Sequence, residues 1–553
     1  MEHNALSTDN LSTVLIDHLG LVADQIDQLH LVELIDQRLP IEGNGSKVSM
    51  GERVSAMILN GLGFVDSRLY MFPDFLKKRP ISRLFGKQME ASWFNDDTLG
   101  RCLDAIAQYG ITKLFTEVSF SIAREKNLFG KSVHFDTTSL QLEGAYATDE
   151  KSTDQQAVKP AHGYSKSHRD DLKQMVLNLA TTGKSNFPIW MEPHSGNASD
   201  KKILPVAIVR MNDLCQQLKE SESFLYVADS AAYENIIAHS GKLKWVSRVP
   251  ANLTLAKQLL TTPATKLAWL DKENGYKYYQ QNTCYGDVQQ RWLLVFSEQA
   301  YQQEVKTLSS QISKTYTRLS KEWWHLSNQV FSCKDDALKA ANKLACNMLY
   351  HQVSYEVGEI TKHLQKGRPS KSSQAAIVGY QLTYTLSEDT NKIEAIKQHK
   401  GRFILATNQE DESELSTLDM LIEYKAQSGV ERGFKFIKDS SFQVDNVFLK
   451  TASRIEALMM IMTLCLMVFG LTQYQIRSAL RANNETFPDQ RKKAIQNPSL
   501  KWIYFLFLGV SEVRIRMADQ ETQMVSNVDG LLKQIIGYCG KRAQEIYLNN
   551  KSF

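Results

Sequence analysis

Hydrophobic spacing in the N-terminal part of the chain is that of amphipathic helices. The four apolar residues from Leu99 to Ile106 follow the i, i+3, i+4, i+7 pattern, which places them on one helical face. The segment Ser49-Met-Gly-Glu52 has the form of a capping box, in which two side chains close the first turn of a helix. These patterns predict a helical N-terminal region over residues 1–128.

After residue 128 the pattern changes to that of strands. Short apolar or alternating segments bounded by turn residues are typical of strands. Five such segments occur in order, with one helix before the fourth and another before the fifth: Ser132–Leu142, Lys173–Ala180, Phe187–Met191, Phe224–Ala228 and Lys244–Val249. An antiparallel hairpin followed by helical crossovers predicts a mixed α/β fold with a ribonuclease-H-like sheet over residues 129–254.

A long stretch with a different pattern interrupts this sheet. Residues 255–398 combine strand-like segments with long helical stretches, and we predict that they form a large insertion domain. Arg402–Thr407 has the composition of another core strand, so residues 399–445 are assigned to the remainder of the catalytic core. Residues 446–553 are predicted to form a helical C-terminal region.

Composition and charge exclude several other classes of protein. The apolar run Ala457–Leu471 is shorter than the about 20 residues of a membrane span, so a buried core helix is expected there. The polar first ten residues lack the regions of a secretory signal. The seven cysteines are scattered without C-x-x-C spacing, which disfavours a zinc ribbon or a disulfide scaffold. A net charge of +4 is too mild to indicate nucleic-acid binding by itself.

Three acidic residues occupy positions suited to a metal site at a sheet edge. Asp136 lies within the first predicted strand, Asp229 follows the apolar strand Phe224–Ala228, and Glu431 lies on a helix after Arg402–Thr407. A carboxylate in or just after a buried strand is costly unless it is paired or binds a metal. Three carboxylates suit Mg²⁺, and two such ions can activate the attacking oxygen and stabilise the leaving oxygen of a phosphodiester.

Each of these acids also has a local structural interpretation. Asp229 and Ser230 can cap the helix that follows them. Glu431 can complete a capping box begun by Ser428, and Asp136 can accept hydrogen bonds from its neighbours. Composition and spacing leave both interpretations open.

The segment around Glu431 resembles the Tyr-Arg-Glu-Lys signature of a large group of bacterial insertion-sequence transposases of the DDE class. Tyr424, Glu431 and Lys438 match this signature in identity and spacing, whereas Gln427 stands where the group has arginine. That departure argues against a guanidinium clamp on phosphate at this position. Further segments resemble the group in the same chain order: His162–Asp170, Ser195–Asp200 and Val227–Ser230.

This resemblance implies a ribonuclease-H-like core with an insertion domain between the second aspartate and the glutamate. It implies that Asp136, Asp229 and Glu431 are catalytic and bind two Mg²⁺ ions, for which Mn²⁺ can substitute. The implied enzyme is a polynucleotidyl transferase that cleaves the 3′ ends of an insertion sequence and joins them to target DNA. Alternatives are a hydrolytic nuclease on the same core and a catalytically silent DNA-binding descendant of a transposase.

Partners and location follow from the same resemblance. The expected partners are double-stranded DNA, both as element ends and as target, and a second copy of the chain in the DNA complex. The expected location is the bacterial cytoplasm at the nucleoid, without a membrane. The helical region 1–128 is a candidate for recognition of the DNA ends, with packing or dimerisation as the alternative.

Residues around the glutamate are candidates for contact with DNA. On a continuous helix, Tyr424 and Lys438 each lie seven residues from Glu431 and share its face. Lys438 would bring an ammonium group to the scissile phosphate. Gln427, which is neutral, is expected to make a weaker contact with phosphate. His134 shares a strand face with Asp136, where it can either bind metal or phosphate or pack against its neighbours.

Two further groups of candidates lie elsewhere in the chain. Lys166, His168 and Arg169 form a basic segment that suits either phosphate contacts or a solvated loop. Trp323 and Trp324 in the insertion can stack on a flipped base or pack in a core. The basic stretch Lys366–Lys371 suits either backbone contacts or a solvated linker.

Overall fold

The computed structural model describes most of the chain and divides it into two compact units. The first unit comprises Met1–Ser247 and Asp411–Phe553, and the second comprises Arg248–Glu410. The second unit encloses the predicted insertion and also takes in Arg402–Thr407, which the sequence pattern assigned to the core. The described residues are 11–41, 46–63, 69–142, 158–163, 169, 171–183, 185–217, 224–272, 275–346, 348–363, 375–439, 449, 451–517, 520–549 and 551–552.

The N-terminal part of the first unit is mostly helical, as predicted. Ser49 and Glu52 exchange side-chain to backbone hydrogen bonds, which confirms the capping box. One strand departs from the helical prediction, because its backbone pairs with a distant C-terminal strand. The elements are β1 Leu11–Leu15, α1 Leu19–Gln28, α2 Leu31–Arg38, α3 Met50–Gly61, α4 Phe72–Lys77, α5 Ile81–Phe85, α6 Asp96–Tyr109 and α7 Ile111–Glu125, with 3₁₀ helices at Leu69–Met71 and Ala91–Phe94.

A mixed sheet follows, and its order of strands and helices confirms the sequence pattern. Its elements are β2 Ser132–Leu142, β3 Lys173–Thr182, β4 Phe187–Ser195, α8 Asp200–Gln217, β5 Leu225–Ala228, α9 Tyr233–Ile237 and β6 Lys244–Arg248. The strands lie in the order β4-β3-β2-β5-β6. The first three pair antiparallel, whereas β5 pairs in parallel with β2 and with β6.

The second unit has its own strands and helices. Its elements are α10 Thr254–Thr261, β7 Leu270–Lys272, β8 Tyr276–Tyr285, β9 Val288–Ser297, α11 Glu298–Ser327, α12 Lys334–Ala345, β10 His351–Lys362, β11 Ala376–Glu388, α13 Thr390–Lys397 and β12 Arg402–Thr407, with a 3₁₀ helix at Ala264–Lys266. Within this unit β12, β9, β8 and β7 pair antiparallel in that order. The strands β10 and β11 form a separate hairpin, on which α11 and α12 pack.

The C-terminal part of the first unit contains strands that the helical prediction omitted. Its elements are α14 Thr417–Ala426, α15 Ser428–Ile437, α16 Ala452–Ala482, β13 Phe487–Pro488, β14 Ala494–Ile495, α17 Leu500–Leu506, β15 Ser511–Met517, β16 Gln520–Ser526, α18 Gly530–Tyr538, α19 Lys541–Leu548 and β17 Lys551–Ser552. The strands β1, β15, β16 and β17 form an antiparallel sheet. Because the first and last parts of the chain meet in this sheet, no local pattern could reveal it.

Helix α16 lies in the apolar centre of the first unit. By length and hydropathy alone it is a candidate membrane span, but 78% of its most apolar window is buried inside the protein. Met460, Leu464 and Met467 are completely buried. The helix packs against α1, α3, α6, α7, α15 and β4. The prediction of a core helix is therefore confirmed.

A buried ion pair joins the N-terminal helices to the C-terminal sheet. Arg83 pairs with Glu512, and their side chains are only 4% and 1% exposed. Arg83 also donates to the backbone carbonyls of Ile546 and Asn549, both at 3.0 Å. Arg514 donates to the same glutamate at 2.7 Å. Removing one partner of such a pair leaves an uncompensated buried charge, which is strongly destabilising.

We expect Glu512→Gln to lower the free energy of unfolding by about 3–5 kcal/mol, since Arg83 would stay charged and buried. The matched control is Asp104→Asn, which breaks the more exposed pair with Arg454. That change is expected to cost less than about 1 kcal/mol. Denaturant unfolding followed by circular dichroism measures both, and an equal effect in the two variants would contradict the importance of burial.

His18 is a buried titratable group at the start of α1. Its Nε2 lies 2.6 Å from the carbonyl oxygen of Leu62, and its ring stacks on Tyr504 with the centroids 4.2 Å apart. Burial lowers the pKa of His18 to about 4, although the Leu62 carbonyl acts in the opposite direction. The fold therefore holds a neutral imidazole at this position at neutral pH.

We expect the protein to lose stability as the pH falls from about 6.5 to about 4, because the unfolded chain protonates His18 before the folded chain does. Above this window both states are neutral, and the histidine makes no pH-dependent contribution. Each pKa unit corresponds to about 1.4 kcal/mol. Unfolding measured at several pH values should show a shallower decline for His18→Gln than for the natural chain. The same slope in both would contradict this role.

Candidate active site

Asp136 and Asp229 lie side by side on neighbouring parallel strands. The register of β2 with β5 ends with His134 beside Val227. Two residues further along both strands, Asp136 comes level with Asp229. Because neighbouring strands are about 4.8 Å apart and side chains alternate between faces, both carboxylates are presented on one face at one end of β5. Asp136 is half-buried and Asp229 is exposed.

The local contacts of the two aspartates test the structural interpretations that the sequence left open beside a metal site. Helix α9 has Ala232 as its N-cap without a side-chain bond, so the helix-cap interpretation of Asp229 is wrong. Instead, the Asp229 carboxylate accepts a hydrogen bond from the backbone N–H of Ser230 at 2.7 Å. The Asp136 carboxylate accepts one from the backbone N–H of Thr137 at 2.7 Å, which confirms local bonding there.

Helix α15 begins directly over β2. Its N-cap, Gln427, is buried and donates from Nε2 to the carbonyl oxygen of Phe135, the residue before Asp136, at 3.3 Å. Two turns later, a Cβ on Gly433 would lie 3.6 Å from the side chain of Leu179. Leu179 is the cross-strand partner of Asp136. The helix therefore crosses the sheet beside the first aspartate.

Glu431 lies on α15 four residues after Gln427, so the two share one side of the helix. Its side chain is exposed. The side chain of the N-cap accepts no hydrogen bond from the first turn of α15, and the Ser428 hydroxyl accepts a hydrogen bond from Arg432 at 3.2 Å. The capping-box interpretation of Glu431 is therefore wrong. Within the described ranges, no three His, Cys, Asp or Glu side chains are gathered closely enough to hold a metal ion.

His134, two residues before Asp136 on β2, contacts a second glutamate, Glu423. Nε2 of His134 is 2.9 Å from the hydroxyl of Ser132, which also donates to the carboxylate of Glu423. Burial lowers the pKa of His134 to about 4. The histidine is thus a neutral, packed side chain, as one of the two interpretations predicted. The sequence did not point to Glu423, because its partner Ser132 is far away along the chain.

A basic cleft of about 730 Å³ lies along α15 and α16. Arg432 lines it from α15, and Arg477 and Arg481 line it from α16. No aspartate or glutamate is among its described lining residues. The hydroxyls of Thr181 and Ser185, which also line it, are buried without hydrogen-bond partners. Donors without acceptors suit an anion that only accepts hydrogen bonds, such as a phosphodiester.

No carboxylate in the part of the chain that the structure describes pairs with the three arginines of this cleft. Arg477 donates to the carbonyl of Pro498 at 2.8 Å, and the other two donate to serine hydroxyls. Burial lowers the pKa of Arg477, and the positive charges of Arg481 and Arg432 act in the same direction. These charges therefore repel one another across the cleft. The only hint in the sequence is the four-residue spacing of Arg477 and Arg481 at the end of an apolar helix.

The remaining residues of the Tyr-Arg-Glu-Lys-like motif are separated by a helix break. Tyr424 is half-buried on α14, which ends at Ala426, whereas Glu431 lies on α15. They therefore do not share the face of one continuous helix. Lys438 is the half-buried C-cap of α15.

The other candidates for contact with DNA have different environments. Trp323 is buried in the core of the second unit, where Tyr355 and Tyr384 pack against it, and this contradicts a stacking role for this residue. Trp324 is 58% exposed. Arg169 pairs with Asp171 at 2.8 Å. Two groups of candidates lie outside the described residues: Lys166 with His168, and the Lys366–Lys371 stretch.

The sequence matches two family models. Residues 133–468 match the transposase DDE domain, and residues 11–120 match a domain of unknown function (DUF4277). Since the first match covers more than half of the chain, the protein belongs to the DDE-domain transposases. This family consists of polynucleotidyl transferases or nucleases that act on DNA and generally depend on a divalent metal. No curated protein matches the chain.

One solved structure with a detectable likeness is a synaptic complex of piggyBac transposase with hairpin DNA. The identity is 12% and the TM-score is 0.33, over 89% of this chain and 78% of that chain. A likeness at this level adds nothing to the family assignment.

We expect Arg432→Gln and Arg481→Gln each to weaken the binding of duplex DNA. Each should also make the slope of log affinity against log salt concentration shallower, by about one for each phosphate contact that is lost. Lys435→Gln is the matched control, because Lys435 is an exposed cation on α15 that does not line the cleft. Fluorescence anisotropy over a range of salt concentrations measures the affinity. An equal effect of Lys435→Gln would show that only net charge matters.

Proposed function

We propose that this protein is the transposase of a bacterial insertion sequence and that Asp136, Asp229 and Glu431 form its active site. The observation that carries the proposal is the register that pairs the two aspartates, beneath a helix that bears the glutamate. The strand order β4-β3-β2-β5-β6, with three antiparallel and two parallel members, supports a ribonuclease-H-like core. The Tyr-Arg-Glu-Lys-like motif supports the insertion-sequence group.

The donor set fits a hard divalent cation such as Mg²⁺, with Mn²⁺ as a substitute. Carboxylate oxygens are the ligands that this ion prefers, and strand register places two of them together. Asp136, Asp229 and Glu431 would hold two ions once the Glu431 side chain turns towards the strands. When bound, the ions supply the positive charge that activates an attacking oxygen and stabilises the leaving oxygen of a phosphodiester.

Neighbouring residues of the chain prepare this site. Gln427 donates a hydrogen bond to the backbone of β2 and so fixes the start of α15. The position of Glu431 on this helix follows from that anchor. The arginines of the basic cleft provide a place for the phosphates of the DNA beside the same helix.

In the proposed reaction, water attacks a phosphodiester at the end of the element. The bond between phosphorus and the 3′ oxygen breaks, which leaves a 3′-hydroxyl and a 5′-phosphate. The 3′-hydroxyl then attacks a phosphodiester of the target DNA and displaces a target 3′ oxygen. Because two element ends must be joined to one target, we propose that a homodimer acts on the DNA, in the bacterial cytoplasm at the nucleoid.

One observation favours a second candidate, a catalytically silent DNA-binding protein descended from a transposase. In the described part of the chain, the three carboxylates are not gathered as a metal site. A catalytic site without bound DNA and metal can also have this looser geometry, because its contacts tighten only in the reacting complex. The two candidates differ in whether DNA is cut, so an assay of cleavage separates them.

We expect Asp136→Asn, Asp229→Asn and Glu431→Gln each to reduce cleavage by more than about 100-fold, because even outer-shell partners of metal ligands cost 10–100-fold when removed. DNA binding should persist. The matched control is Glu423→Gln, which removes a nearby carboxylate that is not a proposed ligand. The assay incubates the protein with duplex DNA from the flanks of its own coding region, with Mg²⁺, Mn²⁺ or chelator, and maps the cut ends.

Each outcome of this assay is informative. Near-normal cleavage by one variant removes that residue from the active site, and cleavage in chelator contradicts metal dependence. Pre-cut ends offered together with a plasmid test strand transfer, so cleavage without joining identifies a nuclease. Binding without either reaction identifies the silent protein.

A further inference from the structure

A second basic cleft lies within the N-terminal helices, in the segment that matches the domain of unknown function. Its volume is about 1000 Å³, at the upper end of the roughly 300–1,000 Å³ typical of ligand sites. Four cations line it, and no aspartate or glutamate is among its described lining residues: Arg38, Lys47, Arg53 and Arg101. Arg38 is neutralised by Glu117 at 3.1 Å. The other three cations have no such partner in the described structure.

Arg53 is the deepest of these cations and the most unusual. It is only 6% exposed, yet no carboxylate among the described residues pairs with it. Its guanidinium donates to the hydroxyl of Ser46 at 2.7 Å and to the carbonyl of Val48 at 3.3 Å, while its Nε is buried without a partner. A buried cation without a counter-charge is costly, so an anion in the cleft would stabilise the folded state.

The side chains around Arg53 offer further positive charge and hydrogen-bond donors. Nε1 of Trp93 is buried without an acceptor, and the Lys47 ammonium lies 5.1 Å from the centre of the Trp93 ring. Burial is the largest cause and lowers the pKa of Arg53; Cys102 acts in the opposite direction, Arg101 lowers the pKa further, and Asp36 raises it by the smallest contribution. Among the described residues, the cleft offers no acceptor to its two unpaired donors, and of its four cations only Arg38 is paired with a carboxylate. A ligand that carries only acceptor oxygens and negative charge satisfies both.

We propose that this cleft binds the phosphodiester backbone of DNA, which assigns to the domain of unknown function a DNA-binding role outside the active site. The choice of DNA rests on the proposed function, because an acidic peptide would offer a similar charge. DNA is favoured since the chain belongs to a family that acts on it. Lys47, Arg53 and Arg101 line one cleft of about 1000 Å³. Several cations in one cleft match the repeated charges of a phosphodiester chain better than the charge of one isolated anion.

The test measures binding of the full-length protein to a fluorescein-labelled duplex from the flanks of its coding region, in chelator so that no cleavage occurs. Lys47→Gln and Arg101→Gln remove exposed charges, so folding should be unaffected. We expect each to weaken binding about tenfold, as for removal of one charged hydrogen bond. Each should also flatten the plot of log affinity against log salt concentration by about 0.9.

Two further variants sharpen the comparison. Lys78→Gln is the matched control, because Lys78 is an exposed cation of the same domain that does not line the cleft, and it should leave the affinity unchanged. Trp93→Phe keeps an aromatic ring but removes the buried N–H donor, and we expect a smaller decrease in affinity than for either cation.

Unchanged affinity and salt slope in the Lys47→Gln/Arg101→Gln double variant would overturn the proposal. Competition by poly-glutamate as effective as that by unlabelled duplex would also overturn it, in favour of an acidic protein partner. The outcome is separable from that of the proposed function, since binding in chelator does not require an active site. If the protein binds through this cleft but never cuts DNA, only the enzymatic proposal fails.

Discussion

The burial of α16 is the constraint on which the rest of the first unit depends. A helix that is apolar on most of its surface must be covered from several directions. The N-terminal helices α1, α3 and α6 cover part of it, and β4 and α15 cover other parts. A Cβ on Gly433 would come within 3.1 Å of Leu466, so the glycine permits the close approach of α15 to α16. The same packing therefore determines where Glu431 lies.

In the described part of the first unit, most cations that line two clefts have no carboxylate as an ion-pair partner. Elsewhere, buried charges such as Arg83 and Glu512 are paired. The clefts around Arg53 and around Arg477 have no carboxylate among their described lining residues. Their cations can therefore bind an anionic ligand. A net charge of +4 conceals this arrangement. Recognition of an anionic polymer depends on such local potentials rather than on the sum of charges.

Sequence patterns succeeded where structure follows from local periodicity and failed where it depends on distant partners. The strands around Asp136 and Asp229, the Ser49 capping box and the core helix α16 all follow from local spacing. The pairing of β1 with β15 joins segments from opposite ends of the chain. The five residues of β1 precede a helical region, and their local pattern did not predict a strand. The sequence allowed Glu431 to complete a capping box begun by Ser428, but the structure does not form it. The N-cap of α15 is Gln427, and its side chain binds the backbone of β2.

By itself, the sequence determined the order of strands and helices around the two aspartates, the candidate acidic residues and the motif that led to the transposase family. These properties are encoded within short windows, where periodicity and side-chain identity suffice. Only the tertiary structure decided that Asp136 comes level with Asp229, that Trp323 is buried while Trp324 is exposed, and that no carboxylate of the described residues forms an ion pair with the buried Arg53. The physical reason is that register, burial and charge pairing depend on which distant segments meet, and one chain's local pattern does not contain that information.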